Sequence, residues 1–176
     1  MKTKQLVVAF LLATIFFSCS KSDDAISVPE VTISGNWVLT NYHFEGSSRT
    51  LDDTTVSTIT FSATAWDISV AAVFSETGNN YTASGAYNLD IFITDENGDE
   101  FYLRNTLHID DVGTWSRSNS FLGITIDGEL TQGAISILND TTLKYVVSSS
   151  TNETDENNQN VSVTRIDTFT YTRQAN

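Results

Sequence analysis

The chain has 176 residues, of which 40% are hydrophobic and 11% aromatic, and its formal net charge is −13. This composition argues against a disordered chain, and the strong negative charge excludes the usual basis of nucleic-acid binding. With one cysteine no disulfide can form within the chain, so stability must come from the packed core of one domain.

The beginning of the chain has the pattern of an export signal. Two lysines precede an apolar run, residues 6–17, that ends just before Cys19 and is too short to cross a bilayer as a helix. The pattern resembles a bacterial lipoprotein signal. This resemblance implies that residues 1–18 are a signal peptide and that Cys19 carries a lipid anchor with acyl chains such as palmitate. An ordinary secretory signal that leaves a free thiol is the alternative.

Residues 19–33 contain Ser, Lys, Asp, Pro and small apolar residues without a period, which predicts a flexible tether. Its first part, Cys-Ser-Lys-Ser-Asp-Asp, resembles the export signal of surface lipoproteins in Bacteroidota. The resemblance implies an anchor in the outer membrane and exposure at the cell surface. A domain that faces the periplasm is the alternative, because acidic residues are common in any solvated segment.

Residues 34–176 have the pattern of one all-β domain. Short runs rich in Val, Ile, Thr, Phe and Tyr alternate with clusters of Gly, Asn, Asp and Ser at intervals of roughly ten residues. The runs predict nine strands, which we place near 35–44, 55–63, 66–75, 80–94, 101–110, 120–127, 133–138, 142–149 and 161–173.

Consecutive strands are expected to pair and to close as an antiparallel up-and-down β-barrel, because closure removes exposed strand edges. Such a ring needs an even number of strands, about eight, so one assignment should be wrong. Either 80–94 is two strands or 133–149 is one bent strand. The Asn97-Gly98 pair predicts a type I′ hairpin turn, and 150–160, which lacks apolar side chains, predicts a solvated loop.

Gly35-Asn36-Trp37 begins the first predicted strand and resembles the Gly-x-Trp signature of the lipocalin superfamily. Gly113-Thr114-Trp115 is similar to an element of lipocalin-like lipoproteins of Bacteroidota, and Arg173 ends the last strand. The resemblance implies a lipocalin-like barrel in which Gly35, Trp37 and Arg173 close one end, with the arginine packed over the tryptophan. Alternatively, Trp37 is a core aromatic residue of another β fold.

Side chains two apart on a strand point to the same face, so alternation separates a candidate interior from the exterior. The residues assigned to the interior form the candidate ligand-binding set: Leu39, Asn41, His43, Phe101, Leu103, Asn105, Leu107, Arg165, Asp167, Phe169 and Tyr171. The apolar members would form the wall of a pocket, and the polar members would orient a guest within it.

Pairing of the first strand with the last, with Trp37 opposite Arg173, gives opposite residues a constant index sum. That register sets His43 opposite Asp167, and we expect these two side chains to be in contact, with Arg165 close by. The alternative is that the polar groups satisfy one another at a wet mouth and bind nothing.

The chain lacks the usual parts of a catalytic or metal site. His43 and His108 are the only histidines, the sequence contains neither a nucleophile motif nor a zinc motif, and the single cysteine is the expected lipid carrier. The sequence therefore predicts a protein that is not an enzyme and that needs no cofactor or metal. His108 alternates with Leu107 and Ile109 and is expected to face solvent.

The leading hypothesis is a lipid-anchored outer-membrane protein that binds or sequesters a small, largely hydrophobic ligand in a barrel. A second is an accessory interaction or glycan-binding subunit of a surface complex, which would use loops 111–119 and 150–160 or exposed aromatic residues. A third is a scaffold whose interior is filled by its own side chains. The internal volume separates the first hypothesis from the others, since ligand sites generally need about 300 Å³ or more.

Overall fold

A computed structural model describes residues 31–51, 56–154 and 159–175 of the chain. The predicted signal peptide, Cys19 and the tether as far as residue 30 lie outside the described residues. Within the described part, no helix is long and apolar enough to cross a membrane.

The regular structure of the described residues is β-sheet, apart from one short 3-10 turn at Thr77–Asn79. The prediction of an all-β domain is therefore confirmed. In chain order the strands are β1 (Gly35–Leu51), β2 (Val56–Trp66), β3 (Ala71–Phe74), β4 (Asn80–Thr94), β5 (Glu100–Ser118), β6 (Phe121–Ile126), β7 (Glu129–Leu138), β8 (Thr142–Thr154) and β9 (Asn160–Arg173). The segment 80–94 is one strand, with the predicted bounds, and 133–149 contains parts of two.

The nine strands form one antiparallel sheet that closes in a ring. From β3 onward each strand pairs with the next, and β1 pairs with β9 along most of its length, as predicted. β2 and β3 share one place in the ring, because both lie between β1 and β4, at different heights. The expectation that consecutive strands pair is therefore wrong for β2 and β3. The even number that closure requires is met in this way, so the expectation that one of the nine strands is wrong is not confirmed.

One end of the ring, which we call the closed end, is filled by apolar side chains. Ile33, Trp37, Phe74, Leu122 and Leu143 are each less than 2% exposed. They come from four strands and from the segment 31–34 that precedes β1. The prediction of a flexible tether over 19–33 is wrong for its last residues, because these belong to the same compact unit as the strands.

A β-bulge at Thr40 shifts the register between β1 and β9. Before the bulge, Trp37 lies opposite Arg173, as predicted; after it, His43 no longer lies opposite Asp167. The predicted contact between His43 and Asp167 is therefore wrong, because an extra residue on one strand changes every later pairing by one.

The same bulge reverses the two faces of β1, since successive side chains alternate and a shift of one residue exchanges them. Tyr42 and Phe44 are buried, whereas Asn41 and His43 are exposed. The prediction that Asn41 and His43 belong to the interior is wrong for this reason.

Turns and loops also differ from the predictions. Of Asn97 and Gly98 only the glycine has a positive φ, so this pair is not a type I′ turn. The turn at Asp127-Gly128, which joins β6 to β7, has φ values of 52° and 86°, as type I′ requires. The predicted loop 111–119 is almost entirely part of β5. Of the predicted loop 150–160, residues 150–154 belong to β8 and Asn160 to β9, and residues 155–158 lie outside the described residues.

Candidate functional site

A cavity of about 540 Å³ lies inside the ring, next to the closed end. Aliphatic and aromatic side chains form most of its wall. The lining residues are Leu39, Val70, Tyr81, Ala83, Tyr87, Ile109, Asp111, Ile124, Ile126, Asp127, Glu129, Thr131, Tyr145, Phe169 and Tyr171. The volume falls in the range of small-molecule sites, about 300–1,000 Å³.

The cavity opens where the wall of the ring is low. β6 is 6 residues long, and its hairpin with β7 ends at a tight turn, while β5 and β8 on either side continue beyond it. Residues Glu129–Gly133 of β7 pair with β6 but not with β8, so the two strands separate there. We call this opening the mouth, and Asp111, Asp127 and Glu129 are the cavity residues beside it.

Three tyrosines form the deeply buried part of the cavity. Tyr81, Tyr145 and Tyr171 are at most 5% exposed, and their hydroxyl groups interact with one another. Burial, which disfavours the charged phenolate, raises the pKa of all three well above the ordinary value of 10.0. The hydroxyls therefore keep their protons at neutral pH and can exchange hydrogen bonds with a ligand.

The mouth is acidic. The half-buried carboxylate of Asp111 is close enough to Tyr81 and Tyr87 that its charge contributes to raising the pKa of both. Burial, together with the charges of Asp110 and Asp127, raises the pKa of Asp111 above its usual 3.8. Among the described residues that line the cavity, none is a lysine or an arginine.

The carboxylates of the mouth do not form a metal site. Nowhere in the described ranges do three His, Cys, Asp or Glu side chains come close enough together to hold a metal ion. The shape and the lining of the cavity instead suit an organic molecule with an apolar body.

A satisfied polar network supports the aromatic wall of the cavity. The Tyr42 hydroxyl donates to Oδ1 of Asp167 at 2.7 Å, and Nη2 of Arg165 donates to the same oxygen at 2.6 Å. Burial, and then the hydrogen bond to Asp167, raises the pKa of Tyr42. The ring of Tyr42 stacks on Phe169, with the ring centroids 4.7 Å apart. We assign this network a structural role, because each of its charged groups already has a partner within the protein.

The predicted contact between Trp37 and Arg173 is present at the closed end. Cζ of Arg173 lies 4.2 Å from the centroid of the Trp37 ring, and its nitrogens donate to the carbonyl oxygens of Ser34 and Thr32. A Cβ atom at Gly35 would lie 2.6 Å from Nη1 of Arg173, which explains the glycine at this position. The three residues together hold the segment 31–34 across the end of the ring.

Two residues of β5 complete the closed end. Nη1 of Arg117 donates to the carbonyl oxygen of Val31 at 2.9 Å, and Nε1 of Trp115 donates to that of Ser75 at the same distance. The expectation that Trp115 lies in a loop is wrong, because its ring packs edge-on against Phe74 within the closed end.

The predicted ligand-binding residues are divided among several places. Leu39, Phe169 and Tyr171 line the cavity. Arg165 and Asp167 belong to the network beside it. Leu107 is partly buried against the core and does not line the cavity.

Phe101, Leu103 and Asn105 are exposed, so the prediction that they form the interior wall is wrong. Their side chains are on the interior-facing side of β5. However, β6 pairs with β5 only from Gly113 onward, so the ring is not complete at the height of these residues. Alternation predicts the face of a side chain but not whether another strand covers it.

Most residues of the cavity and the mouth were not predicted from the sequence. Tyr81 and Tyr145 lie on strands that were placed correctly, and alternation with Ala83 and Leu143 would have assigned them to an apolar face. The pair Asp127-Gly128 is a strong signal of a tight hairpin and would have located the low part of the wall.

A second group of side chains, which we call the outer cluster, lies on the outer face of β2, β4 and β5. Nε1 of Trp66 and Nε of Arg104 each donate to Oδ1 of Asp90 at 2.9 Å, and the guanidinium lies 4.8 Å from the centroid of the Trp66 ring. Phe92 and Tyr102 complete the cluster, with their ring centroids 5.2 Å apart. These hydrogen bonds hold an exposed aromatic surface in place.

Comparison with known proteins finds no relative of this chain. No protein-family model matches it, and neither a curated protein nor a solved structure does. The function must therefore be argued from the cavity, the mouth and the outer cluster.

Proposed function

We propose that the protein is a lipid-anchored, lipocalin-like protein of the outer membrane that binds a small, largely hydrophobic ligand in its cavity and performs no chemistry. The observation that carries this proposal is a cavity of about 540 Å³ whose wall is mostly aliphatic and aromatic. Binding sites for small molecules are typically concave and apolar, with a few polar groups that orient the ligand. The tyrosine hydroxyls and the carboxylates of the mouth supply such groups here.

The lipocalin-like part of the proposal rests on the closed end. Gly35, Trp37 and Arg173 occupy the relative positions that the resemblance implies, and the first and last strands pair beside them. The lipid anchor and the outer-membrane location rest on the sequence around Cys19.

The proposed absence of chemistry rests on the state of the polar groups near the cavity. The buried tyrosines hold their protons and are poor bases, since burial raises the pKa of each. His43 and His108 are exposed and do not line the cavity. The carboxylate of Asp111 acts on Tyr81 and Tyr87 through its charge and not through a hydrogen bond, so the cavity offers binding groups rather than an activated nucleophile.

Native mass spectrometry of the protein purified from its source cells tests ligand binding. We expect an additional mass bound at one molecule per chain. The variant Ala83→Leu adds bulk to the cavity wall and should lose this mass, while Thr82→Leu, at the exposed neighbouring position, should retain it. Circular dichroism checks that both variants are folded. Equal retention by the two variants would show that the ligand binds elsewhere.

The anchor is tested separately with a palmitate analogue that can be detected after labelling growing cells. Replacement Cys19→Ala should abolish labelling and release the protein from the membrane fraction, because the sulfur is the proposed site of lipid attachment. The neighbouring replacement Ser20→Ala should leave both unchanged. Label on the Cys19→Ala protein would contradict the proposal.

The outer cluster favours a second candidate function, the binding of a glycan or of a partner in a surface complex. Trp66, Phe92 and Tyr102 are 41%, 53% and 49% exposed, and apolar faces of sugars stack on such rings. A glycan array probed with the protein tests this function. We expect signals that a Tyr102→Ala variant loses and a Tyr42→Phe variant keeps, since Tyr42 is buried. An array without any signal would contradict glycan binding.

A further inference from the structure

We propose that the ligand of the cavity is an organic cation, an amphipathic amine or quaternary ammonium compound whose charged group lies at the mouth and whose apolar part lies among the tyrosines. This inference rests on the proposed binding function and adds the charge of the ligand to it.

The charged residues of the cavity all have the same sign. Asp111, Asp127 and Glu129 are the charged residues among those that line it in the described part of the chain. They come from β5 and from the hairpin that joins β6 to β7, so two separate segments bring carboxylates to one opening. The net charge of −13 adds a field that attracts cations over a longer range.

Asp111 connects the acidic mouth with the aromatic interior. Its charge acts on the hydroxyls of Tyr81 and Tyr87, and Asp127 acts on Asp111 in turn. A positive group near Asp111 would therefore be within reach of both the carboxylate and the side chains of Tyr81 and Tyr87. A cation over an aromatic ring is attracted to it, and the attraction grows when the site is shielded from water.

A purely structural role does not account for these carboxylates. Two other carboxylates of the described chain are paired with arginines: Asp167 with Arg165 at 2.6 Å and Asp90 with Arg104 at 2.9 Å. At the mouth, burial and the charges of Asp110 and Asp127 raise the pKa of Asp111, so its carboxylate is ionised at a cost. A bound cation would reduce this cost.

The geometry points to an organic cation rather than a metal ion. The three carboxylates are not gathered closely enough to coordinate one ion, since no such group occurs among the described residues. A metal ion would also make no contact with the apolar wall of the cavity, whose volume is about 540 Å³. An alkyl or aryl amine uses both parts of the site.

The test compares three probes that share one chain and differ in head group: decyltrimethylammonium, decanol and decanoate. Isothermal titration calorimetry with the purified protein, below the micelle concentration of each probe, gives the dissociation constants. We expect the cation to bind about tenfold or more tightly than decanol, and decanoate to bind more weakly than decanol. Decanol that binds as tightly as the cation would overturn the inference and leave the proposed function standing. If none of the three binds, the proposed function fails as well.

Variants that neutralise the carboxylates of the mouth test whether these residues cause the preference for the cation. We expect Asp111→Asn and Glu129→Gln, combined in one protein, to reduce the preference for the cation to about threefold or less while decanol affinity stays unchanged. Asp99→Asn and Glu100→Gln, combined in one protein, are the matched control, because both residues are exposed and neither lines the cavity. A preference that survives the double variant would show that the mouth does not select the charge. Circular dichroism and decanol binding together report whether each variant is folded.

Discussion

The closed end and the mouth differ in the surroundings of their charged groups. At the closed end, Arg117 and Arg173 donate to carbonyl oxygens of the segment that covers the ring, and Arg173 also lies over Trp37. At the mouth, burial and the charges of Asp110 and Asp127 raise the pKa of Asp111, and no cation lies among the described cavity residues.

This difference separates a structural region from a binding region. A charge that the protein's own groups satisfy contributes to the fold, whereas a carboxylate left among like charges costs stability and is available to a ligand. We therefore expect damage at the closed end to unfold the protein and neutralisation at the mouth to change binding while leaving the fold intact.

We expect the largest effect from high pH. It ionises the tyrosines of the interior, whereas the carboxylates of the mouth are already charged. The folded state raises the pKa of Tyr42, Tyr81, Tyr145 and Tyr171, mainly through burial, so it holds protons that the unfolded chain releases near 10.0. Stability should therefore fall as the pH rises above about 10, and the protein should unfold. Circular dichroism and tyrosinate absorbance, followed together, check this. Ionisation near pH 10 with the sheet intact would contradict it.

Truncation at the closed end should have the largest effect of any single substitution. Trp37 is fully buried, so Trp37→Ala should lower the free energy of unfolding by about 3–5 kcal/mol, the cost of a large aromatic cavity in a core. Trp66→Ala, at a tryptophan that is 41% exposed, is the matched control and should cost much less. Urea denaturation followed by circular dichroism measures both. Similar losses for the two variants would show that the closed end is not the main core.

The next largest effect is expected from replacing a carboxylate that is paired within the protein. Asp167→Asn removes the partner of Arg165 and leaves a partly buried guanidinium unpaired, which should cost about 2–3 kcal/mol of unfolding free energy. Asp90→Asn also breaks an ion pair, but an exposed one, and its denaturation midpoint should stay close to that of the wild type. A midpoint for Asp167→Asn equal to that of Asp90→Asn would refute the structural role of the network.

The smallest expected change is a gain in stability rather than a loss. Burial and neighbouring carboxylates raise the pKa of Asp111 in the folded state, so the folded protein binds a proton more tightly than the unfolded chain. The contribution of Asp111 to stability should therefore fall as the pH rises through the interval above 3.8, and Asp111→Asn should be more stable than the wild type at pH 7 by less than about 1 kcal/mol. Melting temperatures at pH 4 and pH 7 check this. The advantage should shrink at pH 4, and a lower melting temperature of the variant at pH 7 would contradict the comparison.

Strand positions were predictable because alternation and turn residues are local signals. The bounds of β4 agree with the prediction, and the pairing of β1 with β9 follows from two distinctive residues, Trp37 and Arg173. These two residues are recognisable in the sequence, and their contact depends only on the part of the strands that lies before the bulge.

Which side chains of β1 point to the interior was not predictable beyond Thr40. Alternation predicted that Asn41 and His43 point to the interior. One extra residue in the ladder places Tyr42 and Phe44 there instead. Nothing in the composition around Thr40 signals a bulge, because the local strand pattern continues through it. Tyr42 consequently takes the place beside Asp167 that had been predicted for His43.

By itself, the sequence determined the all-β class, the pairing of β1 with β9 and the contact of Trp37 with Arg173, since each depends on local alternation or on a few distinctive side chains. Only the tertiary structure decided which side chains line the cavity and why Phe101 and Leu103 do not. The reason is physical: burial depends on whether a neighbouring strand continues to the same height, and β6 stops too early to cover that part of β5. The low wall that exposes Phe101 and Leu103 is also what gives the cavity its acidic mouth.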